Sequence, residues 1–469
     1  MTTGTGRSSP SPRAGIMSRR YLWVTMGSCA LVFLGAFESL AVTTVMPVVS
    51  ADLDGARLYA LAFAGPLATG VIGMVGAGNW SDRRGPVGPL YTSVAAFILG
   101  LVVAGLAPTM EVLLVGRLAQ GLGSGAMTVA LYVVVARVYP PHLHPKIFAA
   151  FAAAWVVPSL VGPFAAGAVA QLLSWHWVFL GVVVLVFVAM GMVVPVLRGL
   201  DPPAERAQTV PWAFGRLAWA GLAALAVLAL NLVSEVPGAG WALAIVPIGV
   251  ALIAVRPLVP HGTLIARRGL PTVILMRGLV SAAFFGAEVY LPYFLTDRHG
   301  FSPTIAGLAL TGGALAWASA SAIQGRLGER LASVTAIRVG TTLVLLATAI
   351  AVATALLAWS PWAIIAGWLL GGGGMGLMYP RLSVLTLALS TTEEQGFNSS
   401  ALSIADSLGG ALALASTGVV FAAFATPTAS FAAVFGLAAT IALLSVLLAS
   451  RVAVSGGHAS EAAEEHQAS

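Results

Sequence analysis

Charge is what this chain has least of. Only 9% of its 469 residues are Asp, Glu, Lys or Arg, against roughly 25% in a soluble globular domain. With a mean hydropathy of +0.94, that scarcity excludes a water-soluble fold and leaves a polytopic membrane protein. Cysteine is nearly absent as well. Cys29 alone excludes an intramolecular disulfide, and its apolar neighbours suit simple packing. The glycines at 371–374 have no strand before them and no Lys-Ser/Thr after them, so they are not a phosphate-binding loop; without a P-loop, an ATP-driven pump would need a separate ATPase subunit, which nothing in the sequence motivates. Acids inside the apolar runs are solitary, and His142 and His144 make a poor metal site, so neither a metal nor another cofactor is expected. The net charge of +6 is dispersed among apolar spans rather than gathered in a patch, so nucleic acid is not an expected partner.

What the chain does have is apolar runs long enough to cross a bilayer, which takes about 20 residues. There are about fourteen. Six lie near 21–49, 58–78, 89–107, 111–137, 147–171 and 176–197. Two more lie near 216–236 and 241–256, and the last six near 271–295, 303–324, 334–358, 361–389, 397–424 and 427–450. Helices are expected throughout, because barrel strands would alternate and be far shorter. The run at 21–49 is too long for a signal-peptide core and is read as a retained first span. Of the 23 Lys and Arg, only Arg57 and Arg298 fall in predicted outer loops, and Arg117 and Arg277 fall inside spans; the rest lie on the other side. That asymmetry predicts an even number of spans, with both termini cytoplasmic, in the cell membrane. Residues 1–20 and 451–469 are expected to be cytoplasmic tails.

The chain also repeats itself at a nearly constant offset. Glu38 and Glu288 lie 250 residues apart, and Asp82 and Glu329 lie 247 apart. Gly116–Gly125 is echoed by Gly367–Gly376 at 251, and Ser159–Gly162 by Ser407–Gly410 at 248. Two six-helix halves, 21–197 and 271–450, therefore share one plan. The linker 198–270 between them carries the two extra helices. The charged hairpin Gly78-Asn79-Trp80-Ser81-Asp82-Arg83-Arg84-Gly85 returns in degraded form, keeping Gly325, Glu329 and Arg330.

On these motifs the chain resembles the major facilitator superfamily, in its fourteen-span drug:proton antiporter branch, from about Arg20 to Arg451. The stretch Gly78–Gly85 looks like the signature between spans two and three. It departs after Gly85, where Pro86 and Val87 replace basic residues. Arg117 with Gln120 and Gly121 looks like the fourth-span motif. Pro158, Gly162, Pro163 and Gly167 look like the antiporter motif of span five, with Pro158 standing where a glycine is more usual. The resemblance implies proton-driven export of amphipathic compounds.

Read as chemistry, four intramembrane groups are candidates for proton coupling: Glu38, Arg117, Glu288 and Asp406. Glu38 and Arg117 enter from opposite sides to similar depth, so they suit either a proton-coupling pair or a structural ion pair. Glu288 lies near Tyr290 and Tyr293, and Trp368 stands where the repeat would place an arginine. An unpaired acid beside aromatics suits a cationic ligand, or a protonated carboxyl on a backbone carbonyl. Arg277 and Asp406 have depths that allow an inner gate, although Arg277 could snorkel instead; Glu235 is expected to snorkel. Gly162-Pro163 suggests a bend that seals the halves, or ordinary small-residue packing. Trp155, Phe284, Phe285, Trp317, Trp368 and Met378 are candidate cavity-lining residues. Asp82, with Arg83, Arg84 and Gly85, is expected to act as a latch on the positive end of a helix near Asn398–Ser400.

The expected function is a secondary active antiporter that exchanges protons for an amphipathic, often cationic, small molecule across the lipid bilayer, working as a monomer. The alternative is an exporter of one endogenous metabolite. A membrane enzyme is disfavoured by the solitary acids.

Overall fold

A computed structural model describes residues 15–55, 58–198, 211–233, 240–301 and 303–453. Among them every regular element is helical. The first half comprises α1 (Leu22–Asp52), α2 (Tyr59–Arg84), α3 (Val87–Gly105), α4 (Met110–Val138), α5 (His144–Leu172) and α6 (His176–Leu197). Then come α7 (Phe214–Val233) and α8 (Gly240–Val255). The second half comprises α9 (Leu270–Glu288), α10 (Tyr290–His299), α11 (Pro303–Leu327), α12 (Ser333–Leu357), α13 (Pro361–Ala388), α14 (Gln395–Ala422) and α15 (Pro427–Leu448). Proline supplies several helix starts, where its missing N–H costs nothing: Pro145, Pro271, Pro361 and Pro427 stand in the first turns of α5, α9, α13 and α15. Glu235 lies outside the described residues.

Nine of the described helical stretches are long and apolar enough to cross a membrane, and α7 and α8 form two shorter apolar ones. The outward face of α6 exposes Val184, Leu185, Phe187 and Val188. An apolar surface of that kind is stable only against lipid or another apolar partner.

The helices pair by one scheme, used twice. In the first half α1 packs on α5 and α6, α2 on α4, and α3 on α4 and α6. In the second, α9 packs on α14 and α15, α11 on α13, and α12 on α13 and α15. Each half owns a core. One runs from Tyr21 to Leu197 and admits Leu387 of α13; the other runs from Val273 to Val452. Across the halves, α2 meets α14 and α5 meets α11. A third cluster joins Val71 and Val75 of α2 to Ala220, Ala223 and Val227 of α7 and to Ala401, Leu402 and Leu408 of α14.

One sequence expectation is corrected. The charged stretch 78–85 is not a loop: α2 continues through Arg84, and only Gly85, at φ +76°, turns the chain. The expected span 271–295 lies within one stretch long and apolar enough to cross a membrane, Leu270–His299, in which Val289 alone separates α9 from α10.

Candidate functional site

Three helices of the first half meet at one buried cluster. Arg117 of α4 donates through Nη1 to Oε1 of Glu38 on α1 and, at 3.2 Å, to Oε1 of Gln120 one turn on. Its Nε donates to the Ala62 carbonyl of α2 at 3.2 Å. Gln120 Nε2 closes the ring by donating to Glu38 Oε1 at 3.1 Å. Glu38, Arg117 and Gln120 are 7%, 5% and 1% exposed. A carboxylate this deep needs a fixed countercharge and donors, and it has both. The sequence pointed to Glu38 and Arg117; Gln120 was visible only as part of a motif.

The equivalent place in the second half is built differently. Trp368 of α13 occupies the arginine position of the repeat and is fully buried. Its indole N–H lacks a partner in strict hydrogen-bond geometry, and the group it interacts with is the Glu288 carboxyl. Phe284 stacks on Trp368 at 4.8 Å and meets Trp317 edge-on at 5.7 Å. Trp317 in turn meets Tyr379 at 5.0 Å. Phe284, Trp368 and Met378 are therefore sealed in the core rather than lining open space, because the Glu288 side of α9 packs against α13. Trp155 is half exposed. Tyr290 and Tyr293 turn to Phe421 at 5.2 and 5.5 Å, and Tyr293 also meets Phe431 at 5.1 Å.

The aromatic chain ends on a second acid. Tyr379 Oη donates to Asp406 Oδ1 at 2.7 Å, and Arg277 Nη2 donates to Asp406 Oδ2 at 3.2 Å. The Arg277 guanidinium lies over the Tyr379 ring, 3.6 Å from its centroid. Nη1 donates to the Tyr379 carbonyl at 3.2 Å and to Ser383 Oγ at 3.4 Å. Arg277 thus binds inward and does not snorkel. Tyr379 left no signal in the sequence, since an aromatic on an apolar helix reads as core.

At the arginine-rich end the halves are clasped. Asp82 accepts from the backbone N–H groups of Gly396 and Phe397, at 2.6 and 2.8 Å. These are free amides of the first turn of α14, where the helix dipole favours an anion. The contact falls two residues before the expected Asn398–Ser400, because α14 starts at Gln395 rather than at 397. Gly78 and Gly396 let the backbones touch: a Cβ at Gly78 would lie 2.6 Å from the Gly396 carbonyl. On the opposite flank, Gln324 of α11 donates to the Pro145 carbonyl of α5 at 3.3 Å. Arg83 lies over the Trp212 ring at 4.8 Å, while Arg84 and Arg330 are exposed. The Glu329 and Pro163 side chains lie outside what is described.

The span-five motif serves its own half. Gly162 faces Phe37 and Leu40 of α1, Pro158 is buried, and Gly167 has open space where a Cβ would go. Helix α5 runs unbroken from His144 to Leu172, with Gly162 and Pro163 in its interior. Among the described residues no cluster of His, Cys, Asp or Glu could hold a metal ion.

A helical bundle of two like halves, with an intramembrane ion pair in each and a clasp at one end, has the build of a membrane transporter. The chain belongs to the Major Facilitator Superfamily, whose profile matches residues 27–414 and 279–468. It is 27% identical over 424 residues to the "Probable multidrug-efflux transporter" of Mycobacterium tuberculosis, covering 86% of this chain and 88% of that one. It is 27% identical over 438 residues to the multidrug transporter protein MdtP of Bacillus subtilis, covering 87% and 76%. It is 24% identical over 297 residues to the multidrug efflux pump SdrM of Staphylococcus aureus, covering 61% and 65%. Among solved structures, a bacterial homologue of the iron transporter ferroportin in its outward-facing state superposes with a TM-score of 0.68. That pair shares 13% identity and covers 91% of this chain and 98% of that one. A proton:xylose symporter superposes at 0.63, again with 13% identity, covering 90% and 95%. The protein is thus a multi-pass membrane transporter of the secondary class.

Proposed function

We propose that this transporter exports amphipathic, often cationic, small molecules in exchange for protons, by alternating access between its two halves. It would cross the cell membrane fourteen times, with both termini cytoplasmic, and work as a monomer. The single observation that supports coupling is the Glu38–Arg117–Gln120 cluster. While Glu38 is ionised the pair is neutral. A proton on Glu38 leaves Arg117 as a buried cation without a counterion, a state that favours letting water in. Proton occupancy and conformation are then two sides of one equilibrium. Glu288, facing an indole instead of a guanidinium, is the carboxyl left to meet a cationic substrate. The multidrug-efflux names of its relatives support export of drug-like small molecules.

The clasp at the arginine-rich end fits the state that opens to the opposite side. Asp406 with Arg277 and Tyr379 would serve as the gate beneath the Glu288 site. The test is pH-gradient-driven uptake of a fluorescent lipophilic cation into inverted vesicles. Glu38→Gln should abolish uptake while the purified protein elutes and melts like the parent. Parental uptake by that variant would overturn the assignment.

A further inference from the structure

The inserted pair α7–α8 has no part in the exchange described so far, yet it sits on the seam between the halves. Asn79 of α2 holds the segment entering α7 from both sides. Its Nδ2 donates to the Pro211 carbonyl at 3.3 Å, and its Oδ1 accepts from the Ala213 N–H at 3.1 Å. Trp212, between them, packs 6.5 Å from Trp80 and lies under Arg83. Four residues on, Arg216 places its guanidinium over the ring of Phe397, 4.1 Å from the centroid.

These anchor points are not scattered. Asn79 precedes the latch residue Asp82 by one helical turn. Phe397 donates one of the two N–H groups that Asp82 accepts. Residues 211–216 therefore form a second strap across the same joint, fixed to the first half at Asn79 and to the second at Phe397. Below the strap, the apolar side of α7 is shared: Ala220, Ala223 and Val227 lie in one cluster with Val71 and Val75 of α2 and with Leu402 and Leu408 of α14. Leu230 and Ala244 continue the contact to Leu412 and Val419.

We infer that the inserted pair is a brace that stabilises the state closed at the arginine-rich end, with Arg216 on Phe397 as the contact that parts when that end opens. Two hydrogen bonds fix the strap to α2, whereas a cation over a ring face can slide away without leaving a buried donor bare. The inserted pair thereby sets the resting balance of the two states. The inference rests on the alternating-access reading.

The test is a distance distribution between spin labels at 198 and 338, exposed positions in opposite halves near the arginine-rich end, in a Cys29→Ala background. Arg216→Gln and Phe397→Leu should each raise the share of the long, open distance by about 3- to 10-fold, the factor a cation–ring contact is worth. Arg216→Lys, which keeps a cation on the ring, should stay near the parent. Phe397→Leu keeps the N–H that Asp82 uses, so the two straps are tested separately. Unmoved distances in Arg216→Gln and Phe397→Leu, with a clear shift in Asp82→Asn, would overturn the brace alone. A single distance that neither Asp82→Asn nor a substrate moves would overturn alternating access and the brace with it.

Discussion

Asp82 Oδ1 lies 2.6 Å from the backbone nitrogen of Gly396, two residues that 314 positions of sequence separate and that belong to different halves. The bond exists because α14 begins at Gln395 with its first amides free and because neither Gly78 nor Gly396 carries a Cβ. The same residues close the arginine-rich end, so its opening has a definite cost in hydrogen bonds.

Gly396→Ala should therefore prevent closure without unfolding either half. The new methyl would strike the Gly78 carbonyl and sit 2.6 Å from Asp82 Oδ1. Cysteines introduced near the seam should become alkylated faster by a membrane-impermeant maleimide, while thermal stability stays within about 1 kcal/mol, as befits a contact site rather than a core.

The Asp406 network should be the more sensitive to truncation. Arg277→Ala leaves the part-buried Asp406 carboxylate without its countercharge, a loss at or below the lower end of the roughly 3–5 kcal/mol seen at fully buried pairs, because solvent screens it in part. Tyr379→Phe removes one charge-assisted hydrogen bond, worth about 1.5–3 kcal/mol. Thermal melts of the purified variants check the order, with Arg277→Ala below Tyr379→Phe and both below the parent.

These networks show where sequence was informative and where it was not. The apolar runs, the repeat at about 250 residues and the intramembrane acids were legible, because lipid forbids unpaired charge and makes each one conspicuous. The pairing of Arg277 with Asp406 was legible from depth alone. Tyr379 and the stack of Phe284 on Trp368 were not, since aromatics on an apolar helix carry no sign of which neighbour they will meet. The helical course of 78–84 was hidden for another reason. Asp82 and Arg83 read as solvated, but each finds a partner, in α14 and in Trp212, and that lets α2 run past its apolar stretch until Gly85 turns it.

Glu288→Gln should separate substrates by charge. Removing the carboxylate costs a bound cation its attraction in a poorly screened site, so efflux of a lipophilic cation should fall by more than about 10-fold. Neutral amphipathic compounds should be carried nearly as before. Efflux assays with matched cationic and neutral dyes in a pump-deleted host make the comparison; equal losses for both would assign Glu288 a structural role.

Coupling at Glu38 is tested most directly by proton release. When a cationic substrate is added to purified protein in weakly buffered detergent solution, a pH-sensitive dye should report protons leaving in proportion to protein. Glu38→Gln should bind the same substrate and release none. Equal release from parent and variant, or binding by the parent with no release at all, would contradict proton exchange at Glu38.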